Sequence, residues 1–361
     1  MLIHKDRFPI KDVIFFGFLP NFLKKWIYRL KGYRIGKKVS FGIGAAICGE
    51  EVSIGDHTTI GFFTIIRGKK IKIGSFVNIG ATTILDTPYL EIGDGSRINE
   101  QVFVGGLQFP DSKLVIGKNC QIMQMSFLNP AKSITIGDDS GIGGDCLLFG
   151  HTSWLSCFEG YPVEFEPIEI GKSVSLAWRV FVLPGTKIGD GAVIGANSLV
   201  YRTVPPKCLA VGFPARVVSK FPEFPKDVTA EEKVSLLQGI IKEMIEVFRG
   251  SGLQCQVVGE NTFEITKINK NLWRQKVQKF RLKVFYNLIS PNEVPFSEEK
   301  FNVILSLHAL PENLREACSK RGIMWIDLEK KEQPLFWNDL GEEVLLFLKR
   351  YGVRLYRVGE K

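Results

Sequence analysis

Histidine is scarce in this chain: His4, His57, His151 and His308 are the four among 361 residues. Seven cysteines, at 48, 120, 146, 157, 208, 255 and 318, never form a CxxC or sit beside a histidine pair. An odd number at irregular spacing argues against a disulfide framework and gives no metal-site pattern, so no metal is expected and a reducing, cytoplasmic setting fits best. No run approaches the roughly 18 apolar residues that cross a bilayer, and no basic-then-apolar leader opens the sequence, so secretion is not expected. A Gly-rich phosphate loop is also missing, and with it any sign of a second, nucleotide-hydrolysing activity. Acidic residues fall short as well: 38 Asp and Glu against 47 Lys and Arg leave a formal net charge of +9, which favours an anionic partner. The basic residues gather into no nucleic-acid-binding motif, and nucleic acid is not an expected partner.

What the chain does have is a repeat. Ile-Gly recurs at 35, 54, 73, 92, 116, 136, 170 and 188, with spacings of 19, 19, 19, 24, 20, 34 and 18 residues. Within these units the pair returns after about six residues, as in "IGDHTTIGFFTII" and "IGDGAVIGANSLV", so each unit is three hexapeptides. Three sixes describe one coil of a triangular prism. The Ile or Val of each hexapeptide points inward, the glycine relieves crowding at the corner, and stacked coils bury what one coil cannot. The fold class is therefore mainly β: a parallel β-helix over residues 35–221, preceded by an N-terminal segment 1–34 and followed by a small α/β domain over 222–361.

The two long spacings mark loops that leave the prism, one around "VGGLQFPDSKLV" and one beginning at His151 in "CLLFGHTSWLSCFEGYPVEFEPIEIG". Loops on a rigid scaffold carry function. "ITIGDDSGIGGDCLLFGHTSW" and "PIEIGKSVSLAWRVFVLPGTKIGDGAVIGANSLVYRTVPPKCLAVGFPARVV" resemble the hexapeptide-repeat acyltransferases, the sugar O-acetyltransferases among them, over about residues 35–219. The resemblance implies a left-handed β-helix, an acetyl-CoA donor, a homotrimer with active sites between prisms, and His151 as general base. An alcohol is a poor nucleophile at neutral pH, and an imidazole within reach can take its proton during attack on a thioester. Among nearby acids (Asp138, Asp139, Asp145, Glu164, Glu166), Asp145 is the favoured group to orient the ring. Cys146 is discounted as a nucleophile, because direct transfer needs no acyl-enzyme.

By the same resemblance, Ala196 meets the pantetheine arm and Arg216 lies near the adenosine 3′-phosphate. Arg202 stands where relatives carry a lysine, with Lys220 just beyond. Trp178 departs from the family pattern by filling a usually small position close to the donor. The acceptor-binding Asn and Asp of the galactoside enzymes fall on Met123 and Ala131, so a free galactoside is disfavoured; Gln121, Gln124 and Asn129 are the nearby hydrogen-bonding candidates for a sugar or glycan acceptor. The expected function is transfer of an acetyl group from acetyl-CoA to a sugar hydroxyl in surface-polysaccharide or glycan synthesis. N-acylation of a nucleotide-linked amino sugar is the alternative, and a non-catalytic β-helix scaffold the alternative from another class.

At the N-terminus, "PNFLKKWIYRLKGYR" reads as a basic amphipathic helix, with Phe22, Leu23, Trp26, Ile27 and Leu30 on one face. Either it caps the open end of the prism or residues 20–32 lie on an anionic membrane. After "FPEFPKD" the rhythm ends; "TAEE" reads as a capping box opening a helix, and strands and helices alternate to the end. The stretch "KINKNLWRQKVQKFRLK" reads as a solvated basic face, the alternative being a contact with an anionic acceptor such as a nucleotide sugar or lipid-linked pyrophosphate sugar.

Overall fold

In the computed structural model of the protein, the isoleucines of the eight Ile-Gly pairs form one column: Ile35 pairs with Ile54, then Ile73, Ile92, Ile116, Ile136, Ile170 and Ile188, every step parallel. The structure describes residues 13–271, 274–289 and 300–359, so His4 and part of the basic stretch 267–283 lie outside the described residues. The chain divides into two compact units, Met1–Asp227 and Val228–Lys361.

In the first unit the column belongs to one of three parallel walls. Wall A runs from Arg34–Ile35 to Lys187–Ile188; wall B runs from Ser40–Phe41 to Val193–Ile194; wall C runs from Ala46–Cys48 to Leu199–Val200. The chain visits A, B and C in turn on every coil of this left-handed β-helix. Inward residues make a continuous apolar core from Ile35 to Ala210. Wall B is closed by Cys208–Gly212 and the antiparallel strand Ala215–Lys220.

The corners explain the glycines in part. A Cβ on Gly55 would lie 2.4 Å from the backbone N of Ser75 in the next coil, so the close approach of stacked corners requires glycine there. The left-handed backbone falls two residues later, often on a side-chain-bearing residue, with φ 58° at His57 and 59° at Asp139, and on glycine at Gly95 and Gly191. The "IGD" aspartates tie neighbouring corners together: Asp56, Asp94, Asp138 and Asp190 accept the backbone N–H of Lys37, Ser75, Lys118 and Lys172 at 2.6–2.7 Å. His57 belongs to this ladder, its ring stacked on Phe76 with centroids 4.9 Å apart.

Helix α1 (Asn21–Leu30) closes the first coil with its polar side. Lys24 is buried and donates to the carbonyls of Gly42 (2.7 Å) and Ala45 (3.2 Å). Tyr28 Oη accepts from Ile47 N at 3.0 Å, and Asn21 Oδ1 from Phe41 N at 3.1 Å. An edge coil leaves backbone groups unpaired, and these side chains satisfy them. The cap expected of this helix is therefore made, but by its lysine and tyrosine rather than by its apolar stripe.

The second unit is α/β. Helix α2 (Ala230–Gly250) opens with the reciprocal Thr229–Glu232 capping box. A seven-stranded sheet follows, with α3 (Glu312–Lys320) and α4 (Asp339–Leu348) between its later strands. Within it, buried Asp327 pairs with Arg315, which also reaches Glu332 at 2.5 Å. The region 253–266 is a hairpin: Gln254–Gly259 pairs antiparallel with Thr262–Asn271 about a turn at Asn261, whose φ is 49°.

Burial draws the Lys24 ammonium down to about 8, still charged at neutral pH. Truncation by Lys24→Ala strands the Ala45 carbonyl and leaves that of Gly42 only the long Ala45 N–H contact of 3.3 Å, and is expected to cost about 1–3 kcal/mol in urea unfolding of the full chain. Since the unfolded lysine holds its proton up to its ordinary 10.5, the folded state gains stability as pH rises from about 8 towards 10.5. A pH-independent difference between wild type and variant across that window contradicts the assignment.

Candidate active site

Both interruptions of the repeat leave the prism at the same edge, between wall C and wall A. The first departs after Phe103–Val104 and rejoins at Lys113–Ile116; the second departs after Leu147–Phe149 and rejoins at Ile168–Ile170. The coil between them ends its wall-C strand at Asn129, which pairs with Phe149. In the second excursion, His151–Thr152 and Glu164–Phe165 form a two-stranded antiparallel ribbon. Phe109 of the first packs edge-on against Phe165 of the second, with centroids 5.1 Å apart, so the excursions meet.

His151 lies half-buried where they meet. Its ring centroid is 6.1 Å from those of both Phe149 and Phe165. Asn129 Nδ2 is 2.8 Å from Nε2, and Ser153 Oγ is 3.0 Å from Nδ1. An amide N–H donated to Nε2 fixes the neutral tautomer with hydrogen on Nδ1, which Ser153 Oγ accepts. Desolvation lowers the His151 pKa below its ordinary 6.5, so the ring is an unprotonated base at neutral pH. Asn129 is itself buried, and its Oδ1 has no hydrogen-bond partner. A Cβ on Gly106, where φ is 117°, would come within 2.5 Å of the Asn129 amide, so the glycine pair of the first excursion packs directly over it.

The orienting role expected of Asp145 is corrected. Its carboxylate faces Arg179 at 3.3 Å, while both ring nitrogens of His151 are taken by Asn129 and Ser153. The reason is the repeat's phase: six residues before His151 is one corner earlier, so Asp145 lies on the B–C edge and His151 on the C–A edge. Gln124 is likewise on the B–C edge, 3.5 Å from Asn99, and does not join the histidine. Asn129 does join it, through the base rather than as a free acceptor-binding group. Asp138 is committed to the corner ladder. Cys146 is buried with its thiol pushed up to about 11 by desolvation, which leaves it no thiolate for nucleophilic work.

The residues expected to meet the donor occupy the other edge. Trp178 and Ala196 follow one another up the B–C corner. Trp178 covers Gly144, whose Cβ would lie 2.6 Å from its ring. The stack continues into the terminal hairpin, where Arg216 pairs with Val211; Arg216, Val218 and Lys220 alternate outward along that strand. Arg202 stands apart on the C–A edge, its guanidinium 4.9 Å from the Tyr201 ring. Among the described residues no group of three or more His, Cys, Asp and Glu could hold a metal ion.

No family model matches the chain. Residues of the chain are 36% identical over 113 positions to galactoside O-acetyltransferase of Escherichia coli, covering 28% of this chain and 54% of that protein. They are 32% identical over 114 positions to an inferred lipopolysaccharide biosynthesis O-acetyl transferase of the same organism, WbbJ, covering 28% and 58%. The chain thus spans little more than half the length of these relatives, which are acetyltransferases, the class its repeat and closing coils resemble. Among solved structures, the hexapeptide-repeat acetyltransferase VCA0836 of Vibrio cholerae aligns at 19% identity and TM-score 0.28, over 58% of this chain and 86% of that one.

If His151 acts as a base with its burial-lowered pKa, the acid limb of kcat/KM against pH falls below 6.5. A limb at or above 6.5 contradicts the assignment. Ser153→Ala removes the Nδ1 anchor and is expected to lower kcat by about fivefold, one neutral hydrogen bond's worth, with KM unchanged.

Proposed function

We propose that the protein transfers an acetyl group from acetyl-CoA to a hydroxyl of a sugar or glycan, with His151 as general base. The observation that carries this is a neutral imidazole, its tautomer fixed by Asn129 and Ser153, in a half-buried aromatic recess on an otherwise regular scaffold. The acceptor hydroxyl takes the place of the Asn129 amide at Nε2 and gives up its proton as its oxygen attacks the thioester carbonyl. The C–S bond then breaks, and the proton on Nε2 passes to the departing thiolate. The similarity to an enzyme of lipopolysaccharide biosynthesis and one acting on galactosides supports a carbohydrate acceptor.

The working form in this proposal is a homotrimer. Outward residues of walls A and B are mostly polar, whereas those of wall C form an apolar stripe: Ile84, Phe103, Phe127, Leu147, Phe181 and Leu199. That face lies between the edge holding His151 and the edge holding Trp178, Ala196 and Arg216; Lys220, paired with Cys208, lies at the other end of its strand, towards wall A. Packing it around a threefold axis brings the histidine edge of one copy towards the donor edge of the next. Trp154 and Phe158, each 98% exposed on the ribbon beyond His151, extend the apolar surface. All seven cysteines are free, which fits a reducing cytoplasm where acyl-CoA is present.

A thiol-release assay with acetyl-CoA and a panel of sugars and amino sugars tests the proposal. His151→Ala is expected to lower kcat by about 10²–10⁴-fold with folding intact. Turnover confined to amino sugars shifts the acceptor to an amine. Absence of CoA binding, or turnover indifferent to His151→Ala, supports a non-catalytic scaffold and contradicts the proposal. Phe103→Glu/Leu147→Glu is expected to convert the trimer to monomers by light scattering; a wild type that is already monomeric contradicts the trimer.

A further inference from the structure

Helix α1 is mounted inside out. Lys24 is 1% exposed, while Phe22, Trp26 and Leu30, spaced i, i+4, i+8 along one stripe, are 72%, 59% and 68% exposed. Ile14, Phe15 and Phe18 in the preceding segment are also exposed, and Phe18 meets exposed Phe63 of the second coil, centroids 6.3 Å apart. The physical cause lies beneath the helix. The edge coil offers unpaired carbonyls and N–H groups, so the polar side of the helix must face inward, and its apolar side is left outward. Solvent-exposed helices of folded proteins carry the opposite polarity. An apolar patch of this extent marks an interaction surface.

We infer that this face docks the protein on an anionic phospholipid bilayer. The partner is chosen by charge. From Val13 to Gly49 the sequence contains no Asp or Glu, and it carries Lys25, Arg29, Lys31, Arg34, Lys37 and Lys38 besides buried Lys24. Exposed apolar residues in a segment whose charges are all cationic insert among acyl chains while the cations meet lipid phosphates. A second copy of the chain would set one basic segment against another and is disfavoured. None of the described helices is long and apolar enough to cross a membrane, so the contact is interfacial. The inference stands independently of the acyl-transfer proposal, since none of these residues lies at the His151 recess.

Flotation of the full chain with vesicles of phosphatidylcholine and phosphatidylglycerol, against vesicles of phosphatidylcholine alone, tests it. The wild type is expected to bind the anionic vesicles at least about tenfold more tightly, with binding weakened by salt. Phe22→Ser/Trp26→Ser/Leu30→Ser, all at exposed positions, is expected to weaken binding more than about thirtyfold with the thermal midpoint unchanged. Lys25→Glu/Lys37→Glu is expected to remove the preference for anionic vesicles, and His151→Ala to float like wild type. A wild type that stays with the soluble fraction at low salt overturns the inference, as does a triple variant that floats undiminished. A wild type that does not float and loses assembly mass on triple substitution assigns the face to a second copy, which also overturns it.

Discussion

Parallel coils stacked in register dominate this molecule. Once Ile35, Ile54, Ile73 and their successors stand over one another, every residue's wall and edge is fixed by its position within three sixes. A side chain six residues away in sequence is one edge away in space, and one about eighteen away is its neighbour. The corner glycines, the positive-φ residues two positions later and the aspartate ladder all serve to keep the coils at strand spacing.

That phase governs the chemistry. The two insertions leave from one edge, separated by a single coil, and so Gly106, Asn129, His151 and Phe165 converge although 59 positions separate the first and last of them. The same phase puts Trp178, Ala196 and Arg216 on a different edge, with the apolar face of wall C between. A single prism holds these two groups on separate edges, and in the proposed trimer they would meet across copies of the chain.

Much of this was legible in the sequence. The Ile-Gly spacings give the coils, the column and both insertions, because the buried positions repeat with the period of the structure itself. The capping box at Thr229 and Glu232 is local and equally readable. Proximity in sequence favours Asp145, but the hexapeptide period places it one corner away from His151. Ser153 offered no signal, since its contact depends on how an irregular ribbon folds back. Helix α1 reads correctly as amphipathic, but its orientation is decided by the unpaired backbone of the coil beneath it, which hydrophobicity alone does not reveal. The apolar stripe of wall C could have been found by sorting outward positions by wall, since walls A and B are mostly polar at the same phase.

The most direct measurement is complementation between two inactive variants, His151→Ala and a donor-edge variant, Trp178→Asp/Arg216→Glu, co-refolded as mixed assemblies and assayed for thiol release. With base and donor edge contributed by different copies of a randomly mixed ring, about a quarter of the interfaces are intact, and activity returns to about that fraction of wild type. Mixed assemblies as inactive as either parent would contradict the account, because base and donor site would then have to belong to the same chain.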